Sequence, residues 1–127
     1  MRALLDTSFF IATESGRPLG DMEGVTETEV SVVTLAELTV GVLVANDTDR
    51  PARVATLSAV ESTWDPLPVG AEVARQFARI VAALSASRRR VPVLDALVAA
   101  TAVVEQIPVV TQDHDYGSIA GVEVIRV

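Results

Sequence analysis

The sequence predicts an α/β fold built on a mostly parallel sheet. Two observations predict it. Strand-like and helix-like segments alternate along the chain, the pattern of helices crossing over between parallel strands. The 127 residues are half hydrophobic and only 21% charged, which is enough for one buried core and too apolar for a disordered chain. One domain spanning residues 1–127 is expected, with no internal repeat or linker.

The elements follow in order. Residues 2–6, RALLD, read as a short buried strand ending at a carboxylate. Asp6, Thr7 and Ser8 are helix-capping types, so a helix is expected from Phe9 to about Glu14. Ser15 to Gly20 reads as a loop. Thr28 to Val33 is β-branched and reads as a second strand. Thr34-Leu35-Ala36-Glu37 fits a capping box, with a helix running to about Ala45. Pro51 suits a first helical position, and a further helix is expected to Thr63. Trp64 to Val69 reads as a short extended segment.

Gly70-Ala71-Glu72 opens a helix to about Ser87, with Val73, Phe77, Ile80 and Leu84 along one side. A basic connector, Arg88-Arg89-Arg90, leads to an apolar helix over 93–105. Pro108 to Thr111 and Gly121 to Val127 read as the last two strands, separated by a polar turn. Trp64, Phe77, Phe9 and Phe10 lie in apolar patterns and are expected in the core.

Composition excludes several chemistries. The chain has no cysteine, so disulfides, Cys-ligated metals and thiol catalysis are ruled out. Its single histidine, His114, cannot make a His-rich metal site, and as a turn residue it reads as solvated. All ten basic residues are arginines, which excludes any lysine chemistry. The net charge of −7 argues against nucleic-acid binding through bulk charge and favours a basic partner. The N-terminal apolar run is too short for a signal-peptide core. The longest apolar stretch, 91–104, is shorter than the roughly 20 residues a membrane span needs. A cytoplasmic protein with no membrane partner is expected.

Four acids are placed where a parallel sheet binds its ligands, at the carboxyl ends of the strands. Asp6 ends the first strand. Glu37 lies in the helix after the second strand. Asp95 is the sole ionisable residue between Arg90 and Glu105. Asp113 follows the strand ending at Thr111. A helix cap, a capping box and an Asx turn would explain Asp6, Glu37 and Asp113 locally. Asp95 has no such explanation, since burying an unpaired carboxylate costs several kcal/mol, roughly. It needs an arginine or a metal ion. Two carboxylates about 5 Å apart repel by roughly 3 kcal/mol at an effective dielectric near 20. Hard cations such as Mg²⁺ or Mn²⁺ relieve that repulsion, prefer oxygen ligands, and activate water against a phosphodiester.

The sequence resembles the PIN-domain ribonucleases, specifically the VapC-type toxins of bacterial type II toxin–antitoxin pairs. The matching stretches are Leu4 to Ser8, Ser31 to Leu38, Val93 to Ala102 and Val109 to Tyr116, in order and across the whole chain. The resemblance implies a three-layer α/β/α sandwich with about five parallel strands, and a homodimer. It implies Mg²⁺- or Mn²⁺-dependent RNA cleavage by in-line attack of water. It assigns Asp6, Glu37, Asp95 and Asp113 to the catalytic cluster, with Asp6, Asp95 and Asp113 on the metal. Ser8 and Thr111 match hydroxyl positions beside the metal, and Asp115 an accessory acid, with Asp113 expected as the nearer ligand.

The resemblance also implies a cognate antitoxin, with a DNA-binding N-terminal part and a C-terminal tail that wraps the toxin. Arg88, Arg89 and Arg90 could hold RNA phosphates, or could simply be a solvated connector. Helix 34–45 is apolar nearly all round, so a second face is expected in a dimer or antitoxin interface. A catalytically silent PIN-fold module acting only through its partner is the alternative. A receiver domain is disfavoured by the missing lysine, and an acidic-site phosphatase by Thr7-Ser8 after Asp6.

Overall fold

The computed structural model describes all residues, 1–127. Four parallel strands form one sheet in the order β2-β1-β3-β4. They are β1 (Arg2–Leu5), β2 (Glu27–Glu29), β3 (Val109–Thr111) and β4 (Val124–Arg126). Five α-helices connect them: α1 (Thr7–Ser15), α2 (Val32–Leu43), α3 (Arg50–Thr63), α4 (Ala71–Ala86) and α5 (Val93–Glu105). A short 3₁₀ turn, Asp115–Ser118, lies between β3 and β4.

Alternation along the strands builds the three layers. Leu4 and Val109 point into one apolar cluster with Val73, Ile80 and Leu84 of α4 and Ala96, Val98 and Ala99 of α5. Their chain neighbours Ala3, Leu5 and Val110 point into a second cluster with Phe10 of α1, Leu38 of α2 and Val60 of α3. The two-residue period of a strand thus commits the central strands to helices on both faces. Leu4 pairs with both Glu29 and Val109, so β1 is interior to the sheet. Phe10 stacks edge-on with Phe9 and Trp64, whose ring centroids lie 5.3 and 5.4 Å away. The expected aromatic core is present there.

Several boundaries differ from the sequence reading: α1 starts at Thr7 rather than Phe9, the last strand spans Val124–Arg126 rather than Gly121 to Val127, and the largest changes surround α2. The second strand stops at Glu29 rather than Val33, and α2 starts at Val32. Ser31 caps α2, its hydroxyl accepting the Val33 N–H at 3.0 Å. Thr34 is therefore a buried helical residue and not the expected cap, and Glu37 is released from a capping box. The fifth extended segment, 64–69, makes a single parallel bridge, Ser31 with Leu67, instead of a full strand. Two backbone bonds hold it, from Leu67 N–H to Val30 at 2.8 Å and from Val32 N–H to Leu67 at 3.0 Å.

The α2–α3 corner is closed by arginines. Arg53 donates to the Gly41 carbonyl at 2.8 Å, and Arg50 donates to the carbonyls of Val42 and Ala45. These carbonyls lie at and just past the end of α2, where cationic donors are favoured. Val40, Leu43 and Val44 at that end are exposed, as expected of a helix apolar on more than one face. No helix is long and apolar enough to cross a membrane.

Candidate metal centre

All four strands are parallel, so their carboxyl ends share one edge. Asp6 sits there, directly after β1, with its N–H donated to Val110 at 2.9 Å. It occupies the N-cap position of α1, but its side chain makes no capping bond. The carboxylate is 3% exposed and turns inward. Oδ2 accepts from Ser8 Oγ at 2.8 Å and Thr111 Oγ1 at 2.9 Å. Oδ1 accepts from the Tyr116 hydroxyl at 2.9 Å. These hydroxyls offset the cost of burying the charge.

Asp95 lies in the first turn of α5 and is 9% exposed. None of the chain's ion pairs includes it; they join Arg2 to Glu29 and Glu105, and Arg50 to Asp47. The guanidinium partner that the sequence left open is absent. Its pKa is pushed up to about 7, first by burial and then by the charges of Asp6, Asp113, Glu37 and Asp115. A helix N-terminus alone offsets little of that.

Carboxylate oxygens of Asp95, Asp113 and Asp115 all lie within 4.8 Å of one another. The trio expected on the metal was Asp6, Asp95 and Asp113; Asp115 stands in this tighter group, and Asp6 stands beside it. The turn after β3 places both acids. Thr111 Oγ1 accepts the Asp113 N–H at 2.8 Å while donating to Asp6. Asp113 Oδ1 accepts the Asp115 N–H at 3.0 Å, an Asx turn of the local kind. Glu37 reaches the same edge from α2. Thr7 Oγ1 donates to its Oε1 at 2.8 Å and lies 3.1 Å from Thr34 Oγ1. Burial raises the Glu37 pKa; the Thr7 bond opposes this, while Asp6 and Asp113 add to it.

Ser8 and Thr111 touch at 3.1 Å, and Ser8 Oγ accepts the Gln112 N–H at 3.0 Å. The two hydroxyls are one network around Asp6. Arg88, Arg89 and Arg90 are exposed between α4 and α5 and make no ion pair with the acids. Arg89 lines a cavity of about 460 Å³ with Arg79 and Ile119, which none of the acids enters. His114 is exposed, and Arg126 lies 2.6 Å from its Nδ1.

Tyr116, Thr7 and Thr34 belong to the site without having been singled out. The signals were weak: Thr7 adjoins Asp6, and Tyr116 is the one tyrosine, next to Asp115. Burial and the Asp6 charge raise the phenol's pKa, so it stays a donor.

The donor set fits a divalent ion. It is all oxygen, carries no internal cation, and raises the pKa of one carboxyl to about 7, first by burial and then by charge crowding. Hard oxygen-seeking cations such as Mg²⁺ or Mn²⁺ match it. The PIN domain family model matches residues 3–122. The chain belongs to the PIN-domain family. Within it, the chain is 48% identical over 128 residues to Ribonuclease VapC5 of Mycobacterium tuberculosis, covering 98% of this chain and 94% of that one. It is 41% identical over 126 residues to Ribonuclease VapC4 of the same organism, covering 99% and 97%. This PIN domain superposes on the crystal structure of VapBC-5, a member of the VapBC family of toxin–antitoxin systems from Mycobacterium tuberculosis. The TM-score is 0.89 at 42% identity, covering 99% of this chain and 98% of that one.

Proposed function

We propose that this PIN domain is the toxin of a type II toxin–antitoxin pair and a Mg²⁺- or Mn²⁺-dependent endoribonuclease. The carrying observation is the gathering of Asp95, Asp113 and Asp115 beside Asp6 and Glu37 with no cation of the chain among them. The identity to proteins named as VapC ribonucleases supports the same reading.

Asp95 and Asp113, with Asp115 and Asp6 adjoining, would hold the ion. A bound ion supplies Lewis-acid stabilisation of the phosphoryl oxygens and makes water a better nucleophile. Glu37 has Oε1 committed to Thr7, which leaves Oε2 to orient the attacking water and take its proton. Water attacks phosphorus in line, the bond to the leaving ribose oxygen breaks, and that oxygen takes a proton from solvent. Thr7, Ser8 and Thr111 hold the carboxylates in place through their hydroxyls.

Arg88, Arg89 and Arg90 are offered as phosphate contacts for the RNA, supported by their exposure and lack of carboxylate partners. The partner is a cognate antitoxin with a DNA-binding N-terminal part and a wrapping tail. The net charge of −7 suits a basic tail. The exposed Val40, Leu43 and Val44 suit a homodimer or antitoxin contact. The pair would act in the cytoplasm.

The deciding experiment incubates the protein with total RNA and a tRNA panel, with Mg²⁺, with Mn²⁺ and with chelator. Metal-dependent cuts at defined positions, absent in Asp95→Asn, are expected. Intact RNA under every condition would leave only the silent, partner-binding module.

A further inference from the structure

Asp6 is held differently from the other acids of the site. A carboxylate offers about four lone-pair positions. Both approaches to Oδ2 are filled, by Ser8 at 2.8 Å and Thr111 at 2.9 Å. Oδ1 is taken once, by Tyr116 at 2.9 Å. One lone pair of Oδ1 is therefore what Asp6 has left for a cation. Asp6 is 3% and Tyr116 0% exposed, so water does not substitute for the phenol.

The three hydroxyls are not equivalent. Ser8 and Thr111 are joined by three links, one from each to Asp6 and one to each other at 3.1 Å, and they own two protons. The Tyr116 proton has one acceptor, Asp6 Oδ1. Tyr116 is also anchored from behind, in the cluster with Leu4, Ile119 and the α5 residues Ala96 and Ala99.

We infer that Tyr116 is the positioning residue of the metal centre: its hydroxyl pins the Asp6 carboxylate and selects the single Oδ1 lone pair left for the ion. The inference rests on the metal-dependent reading above. Hydrogen-bond partners of metal ligands orient those ligands, and losing one typically weakens metal binding by about 10–100-fold.

Tyr116→Phe removes the proton and keeps the ring. Mn²⁺ binding to the full chain, measured by calorimetry, should weaken by about 10-fold. With Mg²⁺, kcat for RNA should fall while KM stays the same, because the variant leaves the proposed phosphate contacts, Arg88 to Arg90, untouched. The single tyrosine provides a readout independent of any variant. In wild-type protein carrying ring-¹³C tyrosine, its resonances should move on Mg²⁺ addition with the midpoint of metal binding, and stay still in Asp95→Asn. Wild-type Mn²⁺ affinity in Tyr116→Phe overturns the inference. Should that variant fail to fold, tyrosine resonances unmoved at saturating Mg²⁺ in the wild type overturn it alone. Wild-type protein that binds no Mn²⁺ at all would instead remove the metal reading, and this inference with it.

Discussion

Thr111 donates a 2.9 Å hydrogen bond to Asp6 across 105 residues of sequence, and the same hydroxyl accepts the Asp113 N–H at 2.8 Å. One buried oxygen thereby ties the end of β1 to the turn that carries Asp113 and Asp115. Thr111→Val removes both bonds and strands a part-buried N–H. It should destabilise the protein by about 1–3 kcal/mol and lower RNA cleavage. Thr111→Ser should restore most of both, as measured by denaturant titration and cleavage rate.

Asp95→Asn separates stability from activity. Burial and four neighbouring charges raise the Asp95 pKa from 3.8 to about 7 in the fold. A raised folded pKa favours the native state below pH 4, and that favour is lost as pH climbs through 7. Metal-free wild-type protein should therefore lose stability between pH 4 and 7. Asp95→Asn should escape this and be the more stable by about 1–2 kcal/mol at pH 8, with solvent screening allowed for. Cleavage should drop by orders of magnitude. Melting curves in chelator across that window are the check.

A proton must leave Asp95 when an ion binds. Mn²⁺ affinity should fall by about tenfold per pH unit below 7, and calorimetry in buffers of different ionisation enthalpy should detect proton release. Affinity flat from pH 5 to 7 would take Asp95 off the ion.

Divalent metal should also act as a folding ligand. Mg²⁺ at about 100 times its Kd should stabilise the protein by about 2.7 kcal/mol, and should do nothing for Asp95→Asn.

Ser31→Ala probes α2 without touching the acids. The hydroxyl accepts the Val33 N–H and caps the helix that carries Glu37. Its loss should cost about 1 kcal/mol in stability, with cleavage by the folded protein retained.

The parallel sheet and the acids at its edge were legible because each depended on local signals. Alternation located β1, β3 and β4, and a lone charge in the apolar run 93–104 marked Asp95. The start of α2 was not legible. Val30 to Leu35 is apolar apart from Ser31 and Thr34, and such a run suits strand and helix equally. Ser31 and Thr34 are both capping types; pairing of Val30 and Val32 with Leu67 is what places the boundary. The role of Tyr116 was hidden for a different reason. Its hydroxyl finds a partner 110 residues away, and nothing adjacent to it in sequence reports that contact. Asp113 ranks ahead of Asp115 on resemblance alone; the Asx turn between them brings both to Asp95.

The strand flanked by β1 and β4 is only three residues long and starts at Val109, late in the chain. That short segment brings Thr111 and Asp113 to Asp6. The acidic pocket is thus a product of long-range pairing, and no contiguous piece of the chain short of Asp6 to Asp113 contains it.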